Sequence, residues 1–137
     1  MANDFNQQVI DEFRANAGRV GGMFEGAPLV LLTTTGAKSG KQHTTPVMYL
    51  ADGDRYVVIA SYAGSDQNPA WYHNLKANPV ATVEVGTDTF QVKAVQIDGE
   101  ERDQLYARMV AQAPGFAEYE RKTSRRIPVV ALVPENA

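Results

Sequence analysis

The chain has 137 residues, 44% of them hydrophobic and 21% charged, and its formal net charge is −3. This size and composition fit one globular domain and exclude a disordered chain. The absence of cysteine excludes disulfides, thiolate metal sites and cysteine nucleophiles. The small negative charge gives no general reason to bind nucleic acid.

The first predicted element is an amphipathic helix over residues 4–19, with apolar side chains at helical spacing and Gly18 at its end. We assign residues 1–27 to this helix and a connector within a single domain, residues 1–137. The helix is expected to pack on the domain; weak membrane association is the alternative, although two arginines are few for binding anionic lipid. No signal peptide or long apolar span is found. The cytoplasm is the expected location, with peripheral contact to the inner face of the membrane left open.

Six runs rich in apolar and β-branched residues follow, and short turns join most of them. The turns at residues 52–54 and 86–88 predict two hairpins. Such a pattern predicts an α+β fold with about six mostly antiparallel strands, closed or nearly closed into a barrel. The predicted strands span residues 28–35, 44–51, 55–61, 80–85, 89–97 and 127–133.

Two or three further helices are predicted between or after these strands, which gives three to four in total. Asn68 is predicted to cap one of them, with Pro69 at its first helical position. A capping-box pattern at Asp98 begins the next, and residues 116–122 form a short third.

The loop after the first strand is the most informative segment for function. None of the 16 acidic residues lies between residues 26 and 51, whereas Lys38 and Lys41 do, and His43 adds positive charge when protonated. Glycines let backbone N–H groups approach a ligand, and lysines add point charges. This basic loop, residues 36–43, therefore suits phosphate or carboxylate, with an ordinary solvated loop as the alternative. Its spacing is one residue short of a P-loop and a strand follows it, which excludes an ATPase or GTPase.

A second cluster, residues 60–75, places the only tryptophan in the first turn of a helix that follows a polar segment. Trp71 either packs in the core or lines a slot for a planar ring. Ser61 ends the preceding strand, where it could meet ring nitrogens and oxygens. His73 is two positions from Trp71, so the two are expected on different sides of the helix. Two histidines without thiols do not suffice for a metal site, and no nucleophile elbow supports a catalytic triad.

Several motifs in this order resemble the deazaflavin (F420)-dependent nitroreductase family over roughly residues 28–134, nearly all but the N-terminal helix. They are LLTTTG at 31–36, Lys38-Ser39-Gly40, Pro46, Ser61, Gly64, Asn68-Pro69, Trp71-Tyr72, NLKANP at 74–79 and RIPVV at 126–130. The resemblance implies a split β-barrel that holds coenzyme F420. It also implies an oxidoreductase that passes hydride from the reduced coenzyme to a small-molecule acceptor, a quinone or a nitroaromatic compound.

By position, the resemblance implies two groups of cofactor-binding residues and one group at the acceptor. Against the phosphate and oligoglutamate tail lie Lys38, Ser39, Gly40, Lys41, His43 and Thr45. Around the ring system lie Ser61, Tyr62, Ala70, Trp71 and Asn74. Phe116 and Tyr119 border the acceptor. Tyr119, and next Ser61, are the candidate catalytic donors to the charge that develops on the reduced acceptor.

Departures from the family pattern lead to further expectations. Ala37 and His43 stand where the family often has arginine, and neither reproduces a guanidinium fork, so a looser hold on F420 is expected. Ala113 stands where some relatives have tyrosine, which would open the acceptor pocket. The basic run 121–126 is either a solvated helix end or an extension of the positive rim. Two alternative functions stay open: a non-catalytic F420 carrier or redox sensor, and an FMN-using reductase of similar fold. The patterns do not determine the oligomeric state.

Overall fold

A computed structural model describes residues 4–21, 26 and 28–135. Most of the predicted connector, residues 22–25 and 27, lies outside the described residues. The helices are α1 (Asp4–Ala15), α2 (Ala70–Ala77), α3 (Gly99–Gln112) and α4 (Gly115–Lys122). The strands are β1 (Leu29–Thr35), β2 (Gln42–Asp52), β3 (Arg55–Ile59), β4 (Val80–Val85), β5 (Asp88–Ile97) and β6 (Val129–Pro134).

The six strands close into a barrel in the order β1-β2-β3-β6-β5-β4, and every neighbouring pair is antiparallel. Both predicted hairpins are present. Gly53 (φ +60°) turns β2 into β3, and Gly86 (φ +58°) turns β4 into β5. The left-handed backbone at these two turns is the conformation that glycine adopts without strain. The predicted α+β barrel with about six strands and three to four helices is confirmed.

Alternation along β1 explains how the barrel and its helices share side chains. Successive residues of a strand point to opposite faces. Val30 and Leu32 accordingly pack in the cluster that contains Trp71, whereas Leu29 and Leu31 pack against α1. Burial of the apolar side of α1 on β1 therefore fixes this helix against the strand that leads into the basic loop.

A separate apolar cluster joins α3 and α4 to the barrel. Tyr106 and Met109 of α3 are fully buried there against Val57 and Val129 of neighbouring strands, and Phe116 of α4 packs at its edge. This cluster places α4 next to the segment that follows β3. Among the described helices, none is long and apolar enough to cross a membrane.

Four local expectations need correction. Pro69 is the residue before α2 rather than its first helical residue, because its ψ of 157° is extended. Asn68 does not cap the helix; its side-chain oxygen accepts a hydrogen bond from Arg125 instead. Asp98 precedes α3 without a capping hydrogen bond from its side chain. Strand β3 ends at residue 59, so Ser61 follows the strand rather than ending it.

Candidate functional site

An open cleft of about 1130 Å³ lies between the basic loop, α1 and α2. Its volume slightly exceeds the roughly 300–1,000 Å³ that is usual for small-molecule sites. The residues that line it come from the first half of α1, the end of β1, the basic loop, the start of β2 and α2, together with Tyr62. Among the described lining residues there is no aspartate or glutamate.

Most residues expected at the cofactor come together here, although they span more than 35 positions of the chain. Those that line the cleft are Lys38, Ser39, His43, Thr45, Tyr62, Ala70, Trp71 and Asn74. Gly40, Lys41 and Ser61 do not line it. Gly40 and Lys41 still belong to the basic loop, while Ser61 is 7% exposed and directly precedes Tyr62 in the chain.

The basic loop is folded tightly on itself. The N–H of Gly36 donates to the carbonyl of Lys41 at 2.7 Å, and the N–H of Gly40 donates to the carbonyl of Gly36 at 3.1 Å. The N–H of Lys41 donates to Ser39 Oγ at 3.1 Å. A Cβ on Gly36 would lie 2.6 Å from that same oxygen, so only glycine permits this packing. The loop is therefore shaped before any ligand binds.

Two consecutive backbone donors of the loop are not used in this folding. No described group accepts the N–H of Lys38 or of Ser39. No described carboxylate lies within ion-pair distance of Lys38 or Lys41. Adjacent free N–H groups beside uncompensated lysines form an anion site. This arrangement favours the anion-binding interpretation of the loop over an ordinary solvated loop.

Asn74 ties the basic loop to α2. Its side-chain oxygen accepts the N–H of Ala37 at 3.0 Å, and its side-chain nitrogen donates to Thr34 Oγ1 at 3.1 Å. Asn74 is 8% exposed, and nearby Asn78 donates more weakly to the carbonyl of Thr35 at 3.5 Å. Both ends of the Asn74 amide therefore position the loop from behind.

Trp71 satisfies both interpretations offered by the sequence. It is only 8% exposed and packs in the barrel cluster, yet its remaining surface lines the cleft. His73 is exposed whereas Trp71 is buried, as expected for residues on different sides of α2, yet His73 lines the cleft as well. The cleft extends along the exposed side of α2 and reaches both residues. Both histidines of the chain, His43 and His73, thus face the site.

The sequence analysis missed a further wall of the site. Asn6, Gln7 and Ile10 of α1 line the cleft. No sequence pattern indicated this role, because the polar face of an amphipathic helix is normally only solvated. The packing of α1 on β1 brings that face to the mouth of the cleft.

The polar turn, residues 60–68, forms the side of the cleft that lies next to α4. Tyr62 lines the cleft, is 57% exposed, and has a left-handed φ of +47° that is strained for a residue other than glycine. The N–H of Gly64 donates to the carbonyl of Ser61 at 2.9 Å, and the N–H of Ser65 donates to the carbonyl of Tyr62 at 3.0 Å. The turn therefore presents an aromatic ring from a fixed backbone.

The two residues expected at the acceptor lie behind this turn. Phe116 and Tyr119 are half-buried on α4, with ring centroids 5.2 Å apart, and neither lines the cleft. A Cβ on Gly64 would lie 3.2 Å from the Cα of Tyr119, so α4 packs directly on the polar turn. The hydroxyl of Tyr106 donates to the carbonyl of Phe116 at 2.6 Å, and burial raises the pKa of Tyr106 to about 12. Their role at the acceptor stays a prediction.

The model of the F420H(2)-dependent quinone reductase family matches residues 6–134. The chain belongs to this family. An F420H(2)-dependent quinone reductase of Mycobacterium tuberculosis is 42% identical over 126 residues, which are 88% of this chain and 83% of the relative. The family match includes α1, so the expectation that the resemblance leaves out the N-terminal helix is wrong.

Solved structures agree with this assignment of the chain to the quinone reductases. A structure described as an F420-H2 dependent reductase is 42% identical, with a TM-score of 0.71, and covers 77% of this chain and 93% of its own. A second, described as a domain-swapped dimer, is 37% identical with a TM-score of 0.72. The match covers 94% of this chain and 95% of that structure's chain. A haem storage protein of Vibrio cholerae shares the fold alone. It is 18% identical with a TM-score of 0.62, and the match covers 96% of this chain and 92% of that protein's chain.

As a member of the quinone reductase family, the chain is an F420-dependent oxidoreductase with the reduced coenzyme as hydride donor. The predicted function, enzyme class and cofactor are confirmed. The predicted nitroreductase family name is looser than the quinone reductase family that the comparison establishes. Neither the family nor these close relatives support the FMN alternative.

Proposed function

We propose that the chain binds reduced F420 in the cleft, with its anionic part on the basic loop, and transfers hydride to a quinone. The observation that carries this proposal is the lining of the cleft, in which no described residue is a carboxylate and to which the basic loop contributes the uncompensated Lys38 and free N–H groups. F420 carries a phosphodiester and an oligoglutamate tail, so its charge is complementary to this lining.

The proposed contacts divide the cofactor between two parts of the cleft. Lys38, Lys41 and the N–H groups of Lys38 and Ser39 would bind phosphate and tail carboxylates, with Gly40 and Thr45 beside them. His43 would add charge only when protonated, and Ala37 adds none, so a looser hold than a pair of arginines gives is expected. The deazaflavin ring would lie toward Ser61, Tyr62, Ala70, Trp71 and Asn74.

When bound, reduced F420 supplies the hydride, so no side-chain nucleophile is required. The contribution of the chain's own residues is to hold the cofactor and the acceptor in position. Asn74 holds the basic loop on α2, and the internal hydrogen bonds of that loop fix its donors before binding. The polar turn would present Tyr62 beside the ring. Fixed groups of this kind raise the rate by holding donor and acceptor at reacting distance.

On the acceptor side we propose Phe116 and Tyr119 as substrate-binding residues, with Tyr119 as the donor to the reduced acceptor and Ser61 as a second donor. No described group forms a hydrogen bond with the Tyr119 hydroxyl, and its ring lies against that of Phe116. A free phenol next to the polar turn is chemically suited to stabilise charge on a quinone or nitro oxygen. We extend the proposal to nitroaromatic acceptors on this basis.

Anaerobic mixing with reduced F420 and a soluble quinone tests the proposed reaction. Oxidised deazaflavin absorbance should appear faster with the protein than without it, and a nitroaromatic acceptor should give a second, independent rate. Quenching of Trp71 fluorescence measures cofactor binding in the same samples. Binding without faster oxidation by any acceptor would identify a carrier and contradict the proposed reaction.

Tyr119→Phe tests the acceptor-side role. Loss of a positioned donor should lower kcat by about tenfold or more for both acceptors, with F420 binding unchanged. Tyr56→Phe is the matched control, since Tyr56 is also half-buried but packs between Tyr49 and Phe90. Unchanged kcat and KM for Tyr119→Phe would show that the assigned role is wrong.

A further inference from the structure

The guanidinium of Arg125 is bound entirely to the polar turn. Its Nε donates to the carbonyl of Ser65 at 2.8 Å, and Nη1 donates to Asn68 Oδ1 at 2.7 Å. Its Nη2 donates to the carbonyls of Ser61 at 2.9 Å and Ala60 at 3.2 Å. One side chain therefore joins the beginning, the middle and the end of this turn.

The charge of Arg125 is used differently from that of its neighbours. Arg126 pairs with Asp103 at 2.9 Å on the surface, and Arg121 pairs with Glu118. No described carboxylate lies within ion-pair distance of Arg125; its partners are carbonyl and amide oxygens. Hydrogen bonds from a charged donor are stronger than neutral ones, so the turn is fixed firmly.

The segment that Arg125 fixes is the one that carries Tyr62. The carbonyls of Ala60 and Ser61 precede Tyr62 and the carbonyl of Ser65 follows it, so the guanidinium anchors the chain on both sides of this residue. Tyr62 has the left-handed φ of +47° and lines the cleft. A strained backbone of this kind persists only where the surroundings hold it.

A second contact from the same connector supports the same turn. Thr123 Oγ1 donates to Asp66 Oδ1 at 2.9 Å, and a Cβ on Gly64 would lie 2.9 Å from the Cβ of Lys122. The end of α4 and the residues before β6 therefore act as a rigid support behind the turn. Arg125 is the central hydrogen-bond donor of that support.

We propose that Arg125 is a positioning residue for hydride transfer, which holds Ser61 and Tyr62 at the ring side of the cleft. This inference rests on the proposed function. Arg125 does not contact the basic loop, so it acts on the reacting geometry and leaves the grip on the anionic tail unchanged. Lysine keeps the charge but cannot reproduce a fork that reaches four oxygens.

The test compares Arg125→Lys with Arg126→Lys, the same change at the adjacent position. Arg125→Lys should lower kcat for reduced F420 and a quinone by about tenfold or more, because a small displacement of the reacting groups strongly lowers the rate. The dissociation constant for F420, from Trp71 fluorescence, should change by less than about twofold, because the basic loop keeps its charges. Arg126→Lys should leave both values unchanged.

A double-mutant cycle with Tyr62→Ala separates positioning from a general loss of structure. If Arg125 acts through Tyr62, Arg125→Lys should lower kcat much less in the Tyr62→Ala background than in the wild type. Effects that multiply would show that Arg125 does not act through Tyr62 and would overturn that part of the inference. If Arg125→Lys fails to fold, Asn68→Ala provides the alternative test. It removes one hydrogen-bond acceptor of Arg125 and leaves the arginine in place. It should lower kcat by about two- to threefold with unchanged F420 binding, from the loss of one charged hydrogen bond.

The outcomes separate this inference from the function on which it rests. No oxidation of reduced F420 by the wild type would overturn the proposed function and this inference with it. Normal wild-type turnover with equal kcat for Arg125→Lys and Arg126→Lys would overturn the role of Arg125 alone. A large rise in the F420 dissociation constant for Arg125→Lys would also overturn it, since it would place Arg125 in cofactor binding.

Discussion

The basic loop and the polar turn face the same cleft and are held in place in opposite ways. The basic loop is hydrogen-bonded to itself and receives one side-chain contact from Asn74, while its lysines stay without described ionic partners. The polar turn is fixed from outside, by four hydrogen bonds from Arg125 and by close packing of Gly64 on α4.

This difference shows two uses of a cationic side chain beside one site. A lysine left uncompensated can bind an anionic ligand, and its hydrated ammonium adapts to different oxygens. An arginine whose planar fork is already bound to carbonyl oxygens contributes rigidity. We interpret the first region as the part that attracts the cofactor and the second as the part that sets its reacting geometry.

The largest expected effect comes from substituting the left-handed glycine of each region. Gly64 (φ +82°) has Lys122 Cβ 2.9 Å from where its own Cβ would be, whereas Gly40 (φ +71°) has open space there. Gly40→Ala should lower the free energy of unfolding by about 1–2 kcal/mol through backbone strain alone. Gly64→Ala should lower the free energy of unfolding by the same strain and by roughly 1–3 kcal/mol more, because the added Cβ overpacks the contact with α4. Urea unfolding measures both, and equal losses would contradict the tight packing of the turn on α4.

Asn74→Asp changes the support of the basic loop by one charge. The carboxylate can still accept the N–H of Ala37, but it adds negative charge to a cleft whose described lining has none. F420 affinity should fall about tenfold at low salt and less at high salt. Asn78→Asp is the control, because Asn78 follows the same helix and does not line the cleft. Similar losses for both variants would mean that overall charge, and not the cleft, governs binding.

Removing the lysines one at a time tests whether contact with the cleft matters. Lys38 lines the cleft and Lys41 does not. Lys38→Gln should weaken F420 binding by about fivefold and make it less dependent on salt. Lys41→Gln should weaken F420 binding by about half as much. Fluorescence titration of Trp71 at several salt concentrations provides both values. A larger effect at Lys41 would reverse the assignment of these residues.

The smallest expected effect concerns the support of α4. Tyr106→Phe removes the hydrogen bond to the carbonyl of Phe116 and should lower stability by roughly 0.5–1 kcal/mol at pH 8. Burial raises the pKa of Tyr106 from 10.0 to about 12. The protonated hydroxyl therefore contributes to the free energy of unfolding below pH 10, and this contribution is lost as the pH rises from 10 to 12. Between these pH values the free energy of unfolding of Tyr106→Phe should fall less steeply with pH than that of the wild type. Tyr56→Phe, in another cluster, should follow the wild type.

Local patterns were sufficient to predict most of the fold. Alternating apolar residues and two glycine-containing turns predicted the strands and both hairpins, and β4 has the predicted bounds, Val80–Val85. The helix starts were less well predicted, since Asn68 and Asp98 have the chemistry of caps without making the bonds. A cap depends on one side-chain rotamer, and at Asn68 the competing bond from Arg125 determines it.

Local patterns were enough to predict the barrel and the excess of positive charge in the basic loop, because periodicity, turn chemistry and charge are local properties. Which distant residues share the site follows from tertiary packing, which no local pattern shows. Asn6 and His73 reach the cleft because α1 packs on β1 and the cleft follows α2. Arg125, in a basic run that suggested a solvated helix end or a positive rim, instead binds carbonyls about 60 positions earlier. Such partners are backbone oxygens, which leave no mark on the sequence.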